Sequence, residues 1–387
     1  MRSGPRILIV VNVDWFFLSH RLPIARAARD RGAEVLVAAA DTGRSDEIRR
    51  EGFGFMPIPL TRTGTNLIAE SRAAWSLIKT YRETRPDLIH HVTIKPVIYG
   101  SLVARITGFK AVINAVSGLG YAFSDDGRAN VLRPMVKLLY RLALGSRRSF
   151  TVFQNPDDLN DFVRMGLVTL DRTALIRGSG VDCSRFRVNA QAEGNPMVMF
   201  VGRMLWDKGV GIFVEAARRL RAANPEVRFV LVGAVDPVNP AAVPADQIQR
   251  WVAEDGIEWW GERLDMPEVL ARAHIVTLPS THREGLPKVL LEAAASGRPI
   301  VASDVPGCRE IVRHNVNGLL VPPGDSKSLA RALQELLESS ELRNRFGSAG
   351  REIVDKEFSQ ELVVEQTLAL YCRMLGSAWS QSGASFL

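Results

Sequence analysis

Residues Leu278 to Gly307 read LPSTHREGLPKVLLEAAASGRPIVASDVPG, and the order of residue types in this stretch decides the fold. It leaves an apolar strand (Ile275–Leu278), crosses a loop, enters a helix over Pro287–Ala295, turns, and returns to a strand at Ile300–Ala302. Pro287 suits the first helical position, where a missing N–H costs nothing, and Gly297 suits the stop. Strand, helix and strand in this order are the repeating unit of a parallel sheet covered by helices.

The same alternation extends outward in both directions. Before the stretch, strands are expected at Met197–Val201 and Phe229–Val232, with helices near Val210–Arg221 and Gln247–Ala253; after it comes a helix near Leu329–Leu337. The first half carries its own set. Strands are expected at Ile7–Val13, Glu34–Ala39, Leu88–His91, Ala111–Val116 and Thr151–Gln154, with helices near Arg21–Arg31, Ile68–Thr84, Val97–Thr107, Val131–Arg147 and Asp157–Met165. Ile7-Leu8-Ile9-Val10-Val11 is apolar on both faces, as a central parallel strand is. Between the halves, Gly178–Pro196 breaks the rhythm and reads as a linker. The expected organisation is α/β: two Rossmann-like domains, 1–180 and 190–358, facing each other across a cleft, with a C-terminal helical segment, 359–387, packing back on the first. Such sheets bind ligands outside the carboxyl ends of their strands. A dinucleotide-binding turn needs G-x-G-x-x-G after the first strand, whereas Asn12-Val13-Asp14-Trp15-Phe16-Phe17 holds no glycine, which disfavours a dehydrogenase.

At 387 residues the chain exceeds what one core sustains, so two domains are expected. Charge is uneven: residues 1–180 hold 26 Lys and Arg against 16 Asp and Glu, and the remainder 23 against 26. A basic first half suits an anionic partner there, or is merely an uneven solvated surface. Cys183, Cys308 and Cys372 lie far apart, without zinc or disulfide spacing, and fit a reducing, cytoplasmic setting. The N-terminal run MRSGPRILIVVNVDW is interrupted at Asn12 and Asp14, too early for a signal-peptide core, and no stretch is apolar for long enough to span a bilayer. Any membrane contact is expected to be peripheral.

Two clusters carry chemistry. The loop Glu284-Gly285-Leu286-Pro287-Lys288 presents backbone amides at a helix N-terminus, a cradle for a diphosphate. Glu284 stands in front of it, able to accept from sugar hydroxyls, and Glu292 can accept both hydroxyls of a ribose. The simpler alternative is an amphipathic helix with two incidental glutamates. The second cluster, Val201-Gly202-Arg203-Met204-Leu205-Trp206-Asp207-Lys208-Gly209, follows the first strand of the second half. Arg203 supplies a planar fork and Lys208 a point charge, two complementary grips on a diphosphate leaving group; alone, they read equally as solvated cations. Gly233 allows close approach of a nucleotide or is a plain turn glycine.

These residues resemble the donor-binding half of family 4 retaining glycosyltransferases with the GT-B fold. The hallmarks are a G-R-x-x-x-x-K-G loop, matched by Gly202, Arg203, Lys208 and Gly209, and two glutamates separated by seven residues, matched by Glu284 and Glu292. The resemblance extends over nearly the whole chain, and NAVSGLGYAF (Asn114–Phe123), FQNPDD (Phe153–Asp158) and DVPGCREIV (Asp304–Val312) are similar to the branch that builds lipid-linked oligosaccharides, O-antigens and capsules. It implies a nucleotide-sugar donor (UDP-hexose or UDP-N-acetylhexosamine), a lipid-linked or saccharide acceptor, no cofactor, no metal and no nucleic acid. It also implies that Arg203 and Lys208 hold the diphosphate, that Glu284 meets the donor sugar and Glu292 the ribose, and that attack is front-face with the departing phosphate as base. A GT-B epimerase or phosphorylase, or a non-catalytic nucleotide-sugar binder, are the rival readings.

The loop after the first strand lacks the glycines many family members place there. Acceptor-side candidates are Asp14, His20, His91 and Lys95; His20 reads equally as a brace of the first helix, and His90 and His91 cannot both face one cleft if they lie on a strand. Asp125-Asp126-Gly127 reads as a turn rather than a metal pair. Between Val131 and Arg148, Arg133, Lys137 and Arg141 recur every four residues beside Leu132, Met135, Leu139 and Leu142. That stripe suits an anionic membrane surface, or a helix packed on the sheet with a solvated basic face.

Overall fold

Ile7, Leu8, Ile9, Val10 and Val11 have no exposed surface, because the strand they form is buried on both sides in the middle of a parallel sheet. The computed structural model describes residues 4–60, 67–118, 127–146, 148–188, 194–376 and 379, excepting the side chains of 67 and 127–132. The chain divides into two compact units, Met1–Ser179 with Glu361–Leu387, and Gly180–Gln360.

In the first unit, β1 (Arg6–Val13) runs into α1 (Asp14–His20) and α2 (Leu22–Asp30), followed by β2 (Glu34–Ala40), α3 (Ser45–Arg50) and β3 (Gly54–Pro57). Then come α4 (Leu67–Thr84), β4 (Leu88–Val92), a π-type turn (Pro96–Gly100) leading into α5 (Ser101–Ile106), β5 (Val112–Val116), α6 (Gly127–Leu144), β6 (Ser149–Phe153), α7 (Pro156–Arg164) and β7 (Thr173–Leu175). The strands lie in the order β3-β2-β1-β4-β5-β6-β7, all parallel.

The second unit repeats the winding. It comprises β8 (Met197–Val201), α8 (Val210–Arg221), β9 (Arg228–Val232), α9 (Ala245–Asp255), β10 (Glu258–Trp259), α10 (Met266–Ala271) and β11 (Ile275–Leu278). The chain continues through α11 (Lys288–Ala295), β12 (Ile300–Ser303), α12 (Cys308–Ile311), β13 (Gly318–Val321), α13 (Ser326–Glu338) and α14 (Ser340–Glu357). Its parallel sheet has the order β10-β9-β8-β11-β12-β13. A final helix, α15 (Gln360–Leu375), contributes Val363, Leu368, Leu370 and Tyr371 to the same apolar cluster as Ile7, Ile9 and Val11 of β1.

Several sequence expectations are corrected. The presumed turn Asn12–Phe17 is largely the helix α1, whereas the helix expected near Arg21–Arg31 is present as α2, with Arg21 (φ of −126°) as its N-cap. Pro23 stands in the first turn of α2, where a proline is tolerated. The supposed linker Gly178–Pro196 is in part structure: Val181 pairs with Ser359, and Phe186 is buried in the second core. Strands β3, β7, β10 and β13 were not anticipated. All four are edge strands of two to four residues, too short for a periodic signal and ordered by the backbone of their neighbours. Asp125 and Asp126 lie outside the described residues.

The two strands next to one another at each reversal of strand order, β1 with β4 and β8 with β11, open a crevice at their carboxyl ends. In the second unit the loops leaving β8 and β11 are fastened together there. The Thr281 amide donates to the Asp207 carbonyl at 2.9 Å. Gly209 has φ of 78°, and a methyl group on it would stand 1.9 Å from the Pro279 carbonyl oxygen.

Inside the first unit, His90 and His91 are both buried on β4 and point to opposite faces. His90 Nδ1 meets the Tyr371 hydroxyl of α15 at 2.6 Å. His91 lies toward α4: its Nδ1 is 2.8 Å from Asn114 Oδ1 and its Nε2 2.7 Å from the Tyr81 hydroxyl. With the amide oxygen as acceptor, Nδ1 carries the proton and Nε2 accepts from tyrosine, so a neutral imidazole is satisfied on both sides. Burial pushes His91 down to about 4, opposed by the Asn114 contact, and holds His90 well below its usual range.

Two outcomes follow. Because these imidazoles stay neutral in the fold but titrate near 6.5 once unfolded, stability present at neutral pH is lost as the pH falls from about 6.5 toward 4, by at most about 1.4 kcal/mol per pH unit for each histidine; urea unfolding at a series of pH values checks this. Gly209→Ala forces a left-handed alanine against a carbonyl and is expected to cost about 2 kcal/mol or more, measured as a lower urea midpoint.

Candidate active site

The crevice of the second sheet gathers the charged residues singled out in the sequence. Lys208, at the end of the β8 loop, places Nζ 2.7 and 2.6 Å from the two carboxylate oxygens of Glu284 in the β11 loop. The Ser280 hydroxyl donates to Glu284 Oε1 at 2.6 Å. Both partners are mostly shielded, at 23% and 14% side-chain exposure, so the pair is less screened than a surface salt bridge. It crosses from one side of the sheet reversal to the other.

Arg203 lies nearer the start of the same β8 loop. Its Nη1 is 2.7 Å from Asp236 Oδ2 in the segment after β9, with the arginine side chain 42% exposed. The loop is held by backbone pairing that continues past the strand ends, with the Gly202 amide donating to the Val232 carbonyl at 2.9 Å and the Met204 amide to that of Ala234 at 3.0 Å. Gly233 has φ of 143°, and a methyl group there would stand 1.9 Å from the Gly202 carbonyl oxygen. That glycine therefore serves the approach of two protein loops.

Helix α11 begins one residue later than the sequence suggested. Pro287, with ψ of 112°, is its extended N-cap and Lys288 the first helical residue; Gly297, with φ of 68°, ends it. The amides of a helix's first turn have no acceptor within the helix and its dipole favours anions there. Gly285 and Leu286 precede that turn, and Leu286 packs on the core beneath. One turn in, Glu292 is buried and its carboxylate lies 3.5 Å from Lys288 Nζ. Burial pushes the Glu292 carboxyl up, and the lysine opposes this.

An arginine, two lysines and helix amides thus stand beside two carboxylates. Such a set can grip a dianionic leaving group and accept hydrogen bonds from hydroxyls on either side of it.

In the first unit the candidates are anchored by their own neighbours. Asp14 is buried and accepts from the Thr42 and Arg44 amides at 2.7 and 2.9 Å and from the Trp15 amide at 2.7 Å, with the Thr42 hydroxyl as a further donor. It clamps the loop between β2 and α3. His20 stacks on Phe16 at 4.2 Å, with Nδ1 2.6 Å from the Ser19 hydroxyl. Lys95 Nζ lies 2.5 Å from Glu70 Oε1. His91 is interior, as described. Asp14 and Lys95 follow β1 and β4 and so mark the reversal point of the first sheet; His20 and His91 do not.

The sequence reading passed over several residues. Asp236 and Ser280 sit in segments with no motif of their own; strand adjacency brings Asp236 to Arg203, whereas Ser280 reaches Glu284 within one loop, four residues away. At the reversal point of the first sheet, Asn12 and Thr93 stand two residues beyond the paired Val10 and His91. Asn12 Oδ1 and Thr93 Oγ1 are buried with no hydrogen-bond partner among the described residues, and Thr93 has φ of 75°, a costly conformation for a β-branched residue.

Residues 195–339 match the family model for glycosyl transferases group 1, and residues 6–151 that for glycosyl transferase 4-like proteins. The chain is 28% identical over 382 residues to the N,N'-diacetylbacillosaminyl-diphospho-undecaprenol alpha-1,3-N-acetylgalactosaminyltransferase of Campylobacter jejuni, covering 93% of this chain and 98% of the relative. It is 21% identical over 367 residues to the capsular polysaccharide biosynthesis glycosyltransferase CapM of Staphylococcus aureus, covering 92% and 94%. Among solved structures, HepE of Anabaena in complex with UDP and glucose superposes with a TM-score of 0.75 at 21% identity, over 95% of this chain and 99% of that one. WaaG, a glycosyltransferase involved in lipopolysaccharide biosynthesis, superposes with a TM-score of 0.73 at 16% identity, over 94% and 99%. With two parallel sheets of the same winding and family models matched in succession along it, this chain belongs to the family 4 glycosyltransferases and has the GT-B fold.

Proposed function

We propose that this glycosyltransferase moves a hexose or N-acetylhexosamine from a UDP-sugar to a lipid-linked glycan, with retention of anomeric configuration, in the assembly of a cell-surface polysaccharide. The observation that carries the reading is the Lys208–Glu284 pair across the reversal point of the second sheet, with Arg203 on the same loop. The choice of UDP draws support from the UDP-bound HepE, and the lipid-linked acceptor from the name of the Campylobacter relative.

In this reading the diphosphate lies between Arg203, Lys208 and the first-turn amides of α11. As the glycosyl–phosphate bond lengthens, negative charge grows on the leaving oxygen, and the two cations oppose it. Glu284, held by Ser280, accepts from the donor sugar's hydroxyls, and Glu292 from the ribose hydroxyls. The departing phosphate takes the proton of the incoming hydroxyl on the same face, so no covalent intermediate forms. We assign the chemistry to protein cations with neither metal nor cofactor. The acceptor is assigned to the first unit, where Asn12, at the carboxyl end of β1, and Thr93, just past β4, carry buried oxygens without a partner among the described residues. A lipid-linked acceptor places the enzyme at the cytoplasmic face of a membrane.

Purified protein is tested with UDP-, GDP- and ADP-sugars and an undecaprenyl-diphosphate saccharide. Acceptor-dependent UDP release with an α-linked product from an α-linked donor is expected; UDP release indifferent to acceptor, or an inverted product, would sink the reading. Lys208→Ala is expected to lower kcat about a hundredfold or more. Glu292→Gln is expected to raise the donor KM with a much smaller effect on kcat, the mark of a contact made equally in ground and transition states.

A further inference from the structure

Arg203 is the fork that the proposed function lays on a phosphate, yet its side chain is 42% exposed. A long side chain with that much freedom loses entropy each time it closes on a ligand, unless something already holds it. The chain after β9 does so. From Gly233 the backbone leaves the sheet and comes back along the loop that follows β8. The Met204 amide donates to the Ala234 carbonyl at 3.0 Å, the Trp206 amide to that of Ala241 at 2.8 Å, and the Val243 amide to that of Met204 at 2.9 Å, while Leu205 and Ala242 pair in antiparallel fashion. Residues 234–243 are thus a strap tied to the Arg203 loop at both ends. Met204 and Val243 have no exposed surface and belong to the core of the second unit, so loop and strap share one footing.

Between its ends the strap reads Val235-Asp236-Pro237-Val238-Asn239-Pro240. A residue before proline is kept extended, and the Asn239 amide closes a turn on the Asp236 carbonyl at 2.9 Å. The Asn239 side chain then accepts from the Ala241 amide at 3.0 Å. Asp236 therefore stands on a backbone with little freedom, and its side chain is 10% exposed. Its carboxylate accepts from Arg203 Nη1 at 2.7 Å. The contact occupies a single nitrogen: Nε and Nη2 of Arg203 have no hydrogen-bond partner among the described residues. That edge is left for two parallel bonds to a phosphate, the geometry in which a guanidinium binds most firmly.

We infer that Asp236 is the positioning residue of Arg203: from a rigid strap it holds one end of the guanidinium and presents the Nε–Nη2 edge to the donor's diphosphate in an orientation fixed before binding. The inference rests on the diphosphate grip proposed above and names the residue that aims it. A carboxylate here has two opposed effects on a dianion. Its charge repels the phosphates, whereas its hydrogen bond orients the arginine. The charge is already balanced by the guanidinium it touches, and a misplacement of about 1 Å costs a site up to about a hundredfold in rate. Orientation is the larger effect.

The test separates position from charge in acceptor-dependent UDP release by the full chain. Asp236→Asn keeps an oxygen for Nη1 and removes the charge, and is expected to lower kcat by no more than about threefold. Asp236→Glu keeps the charge and moves the oxygen; it and Asp236→Ala are expected to lower kcat roughly tenfold or more. In an Arg203→Ala background, Asp236→Ala is expected to change kcat by less than about twofold, as for two residues that act as one unit. A Glu variant that outperforms the Asn variant, faster turnover in any Asp236 variant, or the full loss persisting without Arg203, the mark of a merely structural role, would overturn the inference. Independently of turnover, the Arg203 side-chain Nε–H signal, identified by its absence from Arg203→Ala, is followed by NMR relaxation. It is expected to be rigid on the nanosecond timescale in the native and Asn forms and mobile in the Ala form; equal order in native and Ala protein would also overturn the inference. If Arg203→Ala itself leaves kcat and UDP affinity at native values, the diphosphate grip fails, and the NMR comparison judges the fastening of Arg203 by Asp236.

Discussion

The site depends on one ion pair. Lys208 and Glu284 come from loops that leave adjacent strands in opposite directions of winding, and their contact, with the Thr281–Asp207 backbone bond and the close packing of Gly209 on Pro279, turns two separate strand ends into one surface. A lysine and a glutamate this shielded hold each other firmly, because removing either leaves an uncompensated charge in a poorly solvated place. The same pairing keeps the lysine aimed into the crevice before any ligand arrives. Under the proposed function a diphosphate would share a lysine already oriented, which is how preorganised charge acts on a developing anion.

The two units use polar residues differently. In the second, cations and carboxylates are drawn to the rim of the crevice, where a ligand can compete for them. In the first, Asp14, His91 and Lys95 are committed to the fold through Thr42, Tyr81, Asn114 and Glu70. The Asn12 and Thr93 side-chain oxygens, without partners among the described residues, lie at the same topological position as the ion pair of the second unit.

The apolar outer face of α4, α5 and α6 has the opposite character. Its exposed side chains, Met135, Leu138 and Leu142 of α6 among them, contribute nothing to the core.

Much of this was legible in the sequence. The apolar runs at Ile7–Val11 and Met197–Val201 declared buried parallel strands, and the spacing of Arg203, Lys208, Glu284 and Glu292 carried the resemblance to the family, because periodicity and motif spacing are local properties carried by the chain itself. Tertiary structure decided the rest. It made edge strands of segments too short to announce themselves, turned the residues after β1 into a helix, enclosed His91, and set Asp236 against Arg203. It also turned Met135, Leu138 and Leu142 outward. Which side of a helix meets the sheet, and which loops meet at a strand reversal, depends on partners distant in sequence; composition and spacing say what a residue can do, and only packing determines what it touches.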